Sequence, residues 1–299
     1  MCEIFSNVIK KPPKGKGDLK LEVMFINCKG TLVDLSVPKV MGILNCTPDS
    51  FFDGGSYKNE SDFLKQAEKL LTDGADFIDI GAYSSKPNAD FVSEEEEVAR
   101  MVPVVELVLK HFPDTLISVD TFRAAVAKAA VESGAALVND IAAGMLDDKM
   151  LETVGKLKVP YIMMHMRGTP QTMVNLTQYD DIAQEMLQYF GERIDAARHF
   201  GIADIIVDPG FGFAKTLAQN YEVLNKMELF QITGLPILVG MSRKSMVYKL
   251  LGTTPQKALN GTTVLNTLAL SKGATILRVH DVKEAVETVK IYNQLGITN

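Results

Sequence analysis

At 299 residues, 46% of them hydrophobic and 23% charged, the chain has the composition of a well-buried globular protein rather than a disordered or fibrous one. A net charge of −6, with acidic and basic residues mixed along the chain, leaves no broad positive face to follow a phosphate backbone and argues against nucleic acid as a partner. No run of about 18 consecutive apolar residues occurs, and Met1 to Gly17 has no apolar core of signal-peptide type, so a cytoplasmic protein with no membrane partner is expected.

Residues 1–17, with lysines clustered between Lys10 and Lys16, read as a flexible, solvated segment, and residues 18–299 as one domain. Three cysteines, Cys2, Cys28 and Cys46, form no CxxC pair and cannot all be bridged; free thiols in a reducing compartment are expected, and a structural zinc site is not. Residues 21–27 and 31–35 flank Cys28-Lys29-Gly30 and predict a β-hairpin within 20–36, with Gly30 at its turn.

From Val40 onward, short β-branched runs alternate with amphipathic stretches and no Pro/Gly/Ser-rich linker interrupts them. The strand candidates are 40–44, 77–80, 116–119, 137–138, 161–164, 205–207, 237–239 and 276–279. Between them, apolar residues at three- and four-residue spacing predict helices such as 62–72, 94–111, 124–133, 182–200 and 282–295. Gly74, Gly134 and Gly273 repeat one device, a helix end followed by a left-handed turn into a strand. Eight such units predict an α/β fold, a (β/α)8 TIM barrel of the usual length of about 250 residues, with the short N-terminal hairpin capping its bottom. The rival, an open doubly wound sheet, would carry a glycine-rich phosphate fingerprint after its first strand, where Asn45-Cys46-Thr47-Pro48 stands instead.

Barrel enzymes build their sites at the C-terminal ends of the strands. Here those positions are polar throughout: Asn45, then Ser84-Ser85-Lys86, Asp120, Asn139-Asp140, His165, Asp208, Ser242-Arg243-Lys244-Ser245, and Arg278 with His280. Any one of them reads as well as a plain cap; the full set points to a site. Lys86, Lys244, Arg278 and His280, with Asn45 as a neutral oxygen donor, would take an anion. Asp120, Asn139 and Asp208 would accept from a donor-rich end, such as the parallel N–H groups of a 2-amino-4-oxo pterin edge. The competing reading of Asp208 is a cap for the next helix. Arg278 and His280, two residues apart on a strand end, share a face and would grip one anion together, the competing reading being an Arg paired with a nearby Asp.

Other features carry no site. Gly210-Phe211-Gly212 lacks the third glycine of a dinucleotide loop, and the segment 240–245 lacks the Gly before Lys of a P-loop. His111 and His199 lie in helical stretches as surface or packing residues. The run Glu94–Glu97 suits the positive end of a helix dipole, and Cys46, with no adjacent base, reads as packing.

Taken in order, Gly42-Ile43-Leu44-Asn45-Cys46-Thr47-Pro48-Asp49-Ser50-Phe51 with Asp53-Gly54-Gly55, Asp79-Ile80-Gly81 with Ser84-Ser85-Lys86-Pro87, Ser118-Val119-Asp120-Thr121, Asn139-Asp140, Met164-His165-Met166, Asp208-Pro209-Gly210-Phe211-Gly212, Ser242-Arg243-Lys244-Ser245 and Arg278-Val279-His280-Asp281 resemble the signatures of the dihydropteroate synthase family of pterin-binding enzymes. The resemblance implies a homodimeric barrel that condenses (7,8-dihydropterin-6-yl)methyl diphosphate with 4-aminobenzoate, using Mg2+. It further implies pterin contacts from Asp120, Asn139, Ile141, Met164, Asp208, Phe213 and Lys244, and diphosphate contacts from Asn45, Lys86, Arg278 and His280, with Asn45 as metal ligand. Aminobenzoate would meet Ser85, Pro87, Phe213, Lys244 and Ser245, beneath mobile loops containing Asp49, Phe51 and Asp53. Asp120, Lys244, Arg278 and His280 would carry the chemistry. The second loop departs from the commoner Gly-Glu-Ser-Thr-Arg-Pro-Gly pattern, since Lys86 keeps the charge of Arg without its bidentate fork. Two alternatives remain: a catalytically silent pterin-binding paralogue, and a barrel that carries methylfolate for methyl transfer.

Overall fold

The computed structural model describes residues 24–46, 57–83 and 92–296. It begins with β1 (Phe25–Cys28) and β2 (Thr31–Asp34), paired antiparallel across Lys29-Gly30. Both turn residues have positive φ, 54° and 87°, the geometry that matches the twist of a two-residue hairpin. The first strand starts at Phe25, with Met24 outside it; residues 21–23 of the predicted strand, like residues 1–20 before them, lie outside the described residues.

The chain continues through β3 (Lys39–Asn45), α1 (Tyr57–Thr72), β4 (Phe77–Gly81), α2 (Glu94–His111), β5 (Leu116–Asp120), α3 (Ala124–Glu132), β6 (Leu137–Asp140), α4 (Met150–Leu157), β7 (Tyr161–Met164), α5 (Ile182–His199), β8 (Ile205–Asp208), α6 (Leu217–Asn225), β9 (Leu238–Val239), α7 (Ser245–Tyr248), α8 (Leu259–Ser271), β10 (Ile276–Val279) and α9 (Val282–Gln294). β3 to β10 form one parallel sheet in the order β8-β7-β6-β5-β4-β3-β10-β9. A parallel bridge between Val207 and Ile237, with Val207 N–H donating to Pro236 O at 3.0 Å, joins its two ends. That bridge all but closes the sheet into a barrel. All eight predicted strands are present, although Ile237 supplies only the closing bridge to a β9 of two residues. α1 begins at Tyr57, five residues ahead of the predicted start at 62. Gly74, Gly134 and Gly273 take φ of 99°, 120° and 97°, as the repeated helix-to-strand turn requires.

Side chains of the strands divide by alternation. Val40, Leu44, Ile78, Ile80, Ile117, Val119, Val138, Val207, Val239, Leu277 and Val279 point outward and pack with the helices in the largest core cluster. Met41, Phe77, Leu137, Ile162, Ile206, Leu238 and Ile276, with Leu116, point inward near the strand N-termini and form a second cluster with Ile26, Cys28 and Leu35. The hairpin therefore plugs the bottom of the barrel. Two residues further along the same strands, the inward positions are Ile43, Asp79, Ser118, Asn139, Met164, Asp208, Gly240 and Arg278. Among the described residues no helix is long and apolar enough to cross a membrane.

Ile26 is 1% exposed in this plug, whereas Leu32, on the other strand of the hairpin, is 66% exposed. Ile26→Ala is expected to lower unfolding stability by about 2–4 kcal/mol, and Leu32→Ala by less than about 0.5 kcal/mol, in urea titrations. Equal small losses would remove the plug from the fold's energetics.

Candidate active site

The polar layer converges on Arg278. Its Nε donates to Asp79 Oδ2 at 2.6 Å and its Nη2 to Asp120 Oδ2 at 2.7 Å. Asn139 Nδ2 donates to the same Asp79 oxygen at 3.1 Å. Asp79 is fully buried, and Arg278 and Asp120 are largely so. Burial works against the charge on Arg278, but Asp79 and Asp120 outweigh it and raise the guanidinium pKa. Burial, against the pull of Arg278 and helped by repulsion from Asp79, pushes the Asp120 carboxyl up.

A second group comes from the turn after β8. Asp208 Oδ1 accepts Gly210 N–H at 2.7 Å, and Gly210, Gly212 and Ala214 all have positive φ, 66°, 86° and 47°. A Cβ on Gly210 would stand 2.2 Å from His165 O, so only glycine fits that close approach. Lys215, buried behind the turn, donates to Gly210 O and Phe213 O at 3.0 Å each, and its Nζ lies 3.0 Å from His165 Nδ1. Desolvation lowers the Lys215 pKa to about 7 despite the nearby Asp208. Ile141, Met164, Met166, Met173 and Ala214, with Phe213 against them, form an apolar cluster at this side of the mouth. Asp208 itself is raised by burial, opposed by Lys244.

Lys244 crosses the mouth from the start of α7: Nζ donates to Phe211 O at 2.5 Å and sits 4.8 Å from the centre of the Phe213 ring. Desolvation brings its pKa down to about 8, against the stabilising charge of Asp208. Ser245 comes next as the first residue of α7. His280 lies at the exposed rim beyond Arg278, its Nδ1 3.1 Å from Ser242 Oγ. Desolvation in the concave mouth, then the Arg278 and Arg243 charges, lower its pKa to about 4, so it is neutral at pH 7. Asn45 is exposed at the end of β3; its Oδ1 and Asp120 Oδ2 each lie 3.7 Å from where a Cβ on Gly81 would stand, so the two oxygens share one space above the barrel.

Asn45, Asp120, Asn139, Ile141, Met164, Asp208, Phe213, Lys244, Ser245, Arg278 and His280 thus line or flank the C-terminal mouth. Asp49, Phe51, Asp53, Ser85, Lys86 and Pro87 lie outside the described residues. Several strand-end polar residues serve the scaffold instead. Asp140 faces outward and accepts from Ala142 N, Gly144 N and Tyr161 Oη. His165 is buried among Tyr179, Tyr189 and Phe190, and Arg243 is held by Asp281. The helix after β8 is capped by Thr216 in a capping box with Gln219, so Asp208 caps its own turn and not that helix. Glu94–Glu97 does occupy the first turn of α2, but Glu97 is buried and accepts from Thr121 Oγ1 at 2.7 Å and Arg123 Nη1 at 2.5 Å. His111 and His199 are exposed; Cys28 and Cys46 are buried free thiols, raised by burial to about 12.

Sequence reasoning gave no role to Asp79 or Lys215. Asp79 has a legible signal: it is the third residue of β4, on the inward alternation with Phe77, two positions above the apolar layer. Lys215 has none, since it sits in a turn without periodicity.

A barrel whose C-terminal mouth brings carboxylates and an amide together with the cations Arg278 and Lys244 places an enzyme site where such folds carry it, and suits a flat, donor-rich heterocycle beside an anion. The model of the pterin-binding enzyme family matches residues 41–280. The dihydropteroate synthase of Escherichia coli K12 is 43% identical over 270 residues, 90% of this chain and 95% of that protein. The crystal structure of the Yersinia pestis dihydropteroate synthase with a sulfonamide drug superposes with a TM-score of 0.86 at 44% identity, covering 91% of this chain and 99% of that one. That of Xanthomonas albilineans with 4-aminobenzoic acid gives 0.85 at 36% identity, covering 93% and 100%. This chain belongs to the dihydropteroate synthase family of pterin-binding enzymes.

With its pKa at about 8, Lys244 is largely cationic at pH 7 and loses that charge as pH rises. Pterin affinity, followed by titration calorimetry, is expected to fall as pH increases from 7 to 9. Lys244→Arg, which stays charged throughout, should flatten that limb; an unchanged limb would assign it to another group.

Proposed function

We propose that this chain is a transferase that joins (7,8-dihydropterin-6-yl)methyl diphosphate to 4-aminobenzoate, giving 7,8-dihydropteroate and diphosphate for folate synthesis. The observation that carries the reading is the meeting, in one barrel mouth of this family, of an acceptor pair, Asn139 and Asp208, with the cations Lys244 and Arg278. The acceptors suit the N–H edge of the pterin ring, with the apolar cluster of Ile141, Met164 and Phe213 against its face. Arg278 and His280 take the diphosphate, whose departure leaves positive charge spread over the methylene carbon and the ring. The aminobenzoate nitrogen then attacks that carbon and gives up a proton to solvent. Asp120, beside Arg278, is placed to stabilise the cation electrostatically.

Within the same proposal, Ser85, Lys86, Pro87 and Ser245 serve the aminobenzoate and diphosphate side. Mg2+ fits the donors present. Asn45 Oδ1 and Asp120 Oδ2 are hard oxygens facing one space, and among the described residues no group of three His, Cys, Asp or Glu side chains forms a closed cage. Held there by Asn45, such a cation would supply positive charge to offset that of the diphosphate. Asn45 is its protein ligand in this reading. The protein works in the cytoplasm, where its buried thiols stay reduced. It acts as a homodimer: α8 is apolar on both sides, with Leu265, Ala269 and Leu270 buried and Val264 and Leu268 exposed, as expected of a helix covered by a second copy.

Diphosphate release from the pterin diphosphate with Mg2+ should require 4-aminobenzoate and yield dihydropteroate. Lys244→Ala should abolish it, and pterin binding without turnover in the unaltered chain would favour a silent paralogue. Asp120→Asn is expected to lower kcat at least ~100-fold with less than ~10-fold loss of pterin affinity. Equal losses in the two would deny Asp120 its role toward the cation.

A further inference from the structure

Asp79 stands apart from the residues discussed so far: it is fully buried below the mouth, has no assigned task, and yet touches both halves of the site. Its Oδ2 receives Asn139 Nδ2 at 3.1 Å and Arg278 Nε at 2.6 Å. Its Oδ1 has no hydrogen-bond partner among the described residues, nor does Ser118 Oγ at the register-paired position of β5. All the polar work of this carboxylate is therefore concentrated on one oxygen and two neighbours.

We infer that Asp79 is a positioning residue that sets the orientation of the pterin-reading amide and of the anion-binding guanidinium together; the inference rests on the synthase reading. The chemistry is directional. The Asp79 oxygen that accepts from Arg278 also accepts from Asn139, so the Asn139 side chain turns its NH2 group to Asp79 and its oxygen the opposite way, toward the ligand space. That makes Asn139 an acceptor for ring N–H groups, which is the polarity a 2-amino-4-oxo edge requires. Without Asp79 the amide can rotate and present a donor to donors.

At Arg278 the same oxygen holds Nε. This fixes the plane of the guanidinium, leaving the Nη groups to span Asp120 and an incoming oxyanion. Nothing else in the described contacts of Arg278 fixes Nε. Asp79 thus acts on both substrate ends through two other side chains, at a depth where it need not touch substrate itself.

The test is a pair of double-mutant cycles on the full-length protein. The probes are a 6-hydroxymethyl pterin without diphosphate and inorganic diphosphate with Mg2+, each titrated calorimetrically. Asp79→Ala is expected to weaken each probe on the order of 10- to 100-fold. Combined with Asn139→Ala it should cost pterin affinity no further than Asn139→Ala alone, and combined with Arg278→Met no further diphosphate affinity than Arg278→Met alone. If Asp79→Ala does not fold, Asp79→Leu replaces it, because it keeps most of the volume while removing both acceptor oxygens. Additive losses in both cycles, or unchanged affinities in a folded variant, would overturn the inference while leaving the synthase reading intact. An unaltered chain that bound neither probe would overturn both.

Discussion

A guanidinium inside a closed barrel loses most of its water, and the rest of the site is arranged around replacing it. Arg278 projects from β10 into the interior, where an unmatched charge would be costly, and Asp79 and Asp120, from β4 and β5 on the far side of β3, supply the match. Bringing those carboxylates together creates a second problem, mutual repulsion, which adds to desolvation in raising the pKa of Asp120. Lys244 and Lys215 approach from the other side, near Asp208, and both are shifted down by the same desolvation. The mouth is thus a lattice of alternating charges in which burial perturbs Asp120, Asp208, Lys215 and Lys244. Such perturbation is typical of groups that a substrate is meant to complete.

That lattice can exist only because the layer beneath it is dry. Met41, Phe77, Leu137, Ile162, Ile206, Leu238 and Ile276 fill the barrel bottom, and Ile26, Cys28 and Leu35 of the hairpin seal it. Water then reaches the charges from one end only, and the low-polarity floor strengthens every electrostatic contact above it. The turn after β8 solves a local version of the same problem. Its backbone takes three positive φ values to bring Asp208 and Phe213 to the mouth, and Lys215 binds the carbonyls that this leaves facing inward. A lysine buried for that purpose also places a positive charge behind Asp208.

The fold was legible because strand and helix periods are local properties. The eight β-branched runs and the Gly74, Gly134 and Gly273 turns needed no long-range information, and closure of a parallel βα repeat leaves few alternatives. What was harder to read was direction. Asp140 and His165 stand at strand ends just as Asn139 and Asp208 do, but one residue out of phase, and period-two geometry turns them to the helices. Phase also hid Asp79, which sits mid-strand in Phe77-Ile78-Asp79-Ile80-Gly81 and so escapes any search confined to strand ends. Counting in steps of two from the apolar layer would have found it. Lys215 is different: it is tied to Gly210, Phe213 and His165 by a turn whose shape no periodicity encodes.

Pairing with a nearby Asp and gripping an anion were opposed readings of Arg278 in the sequence, and the geometry makes them compatible. A guanidinium carries five N–H donors in a rigid fork. Asp79 and Asp120 take one each, through Nε and Nη2, so most of the fork remains for an oxyanion arriving from the mouth. The two carboxylates also hold the group still, which reduces the entropy that an anion must overcome to order it. The cost is charge competition, since an anion approaching Arg278 meets the field of Asp120. That cost is itself useful. In the proposed reaction, a diphosphate that weakens the hold of Arg278 on Asp120 would leave the carboxylate's negative charge less compensated beside the ring as the carbon–oxygen bond breaks. In that reaction, ground-state pairing and transition-state stabilisation would draw on the same carboxylate in succession, so the residue that matches the charge of Arg278 would become available when positive charge develops.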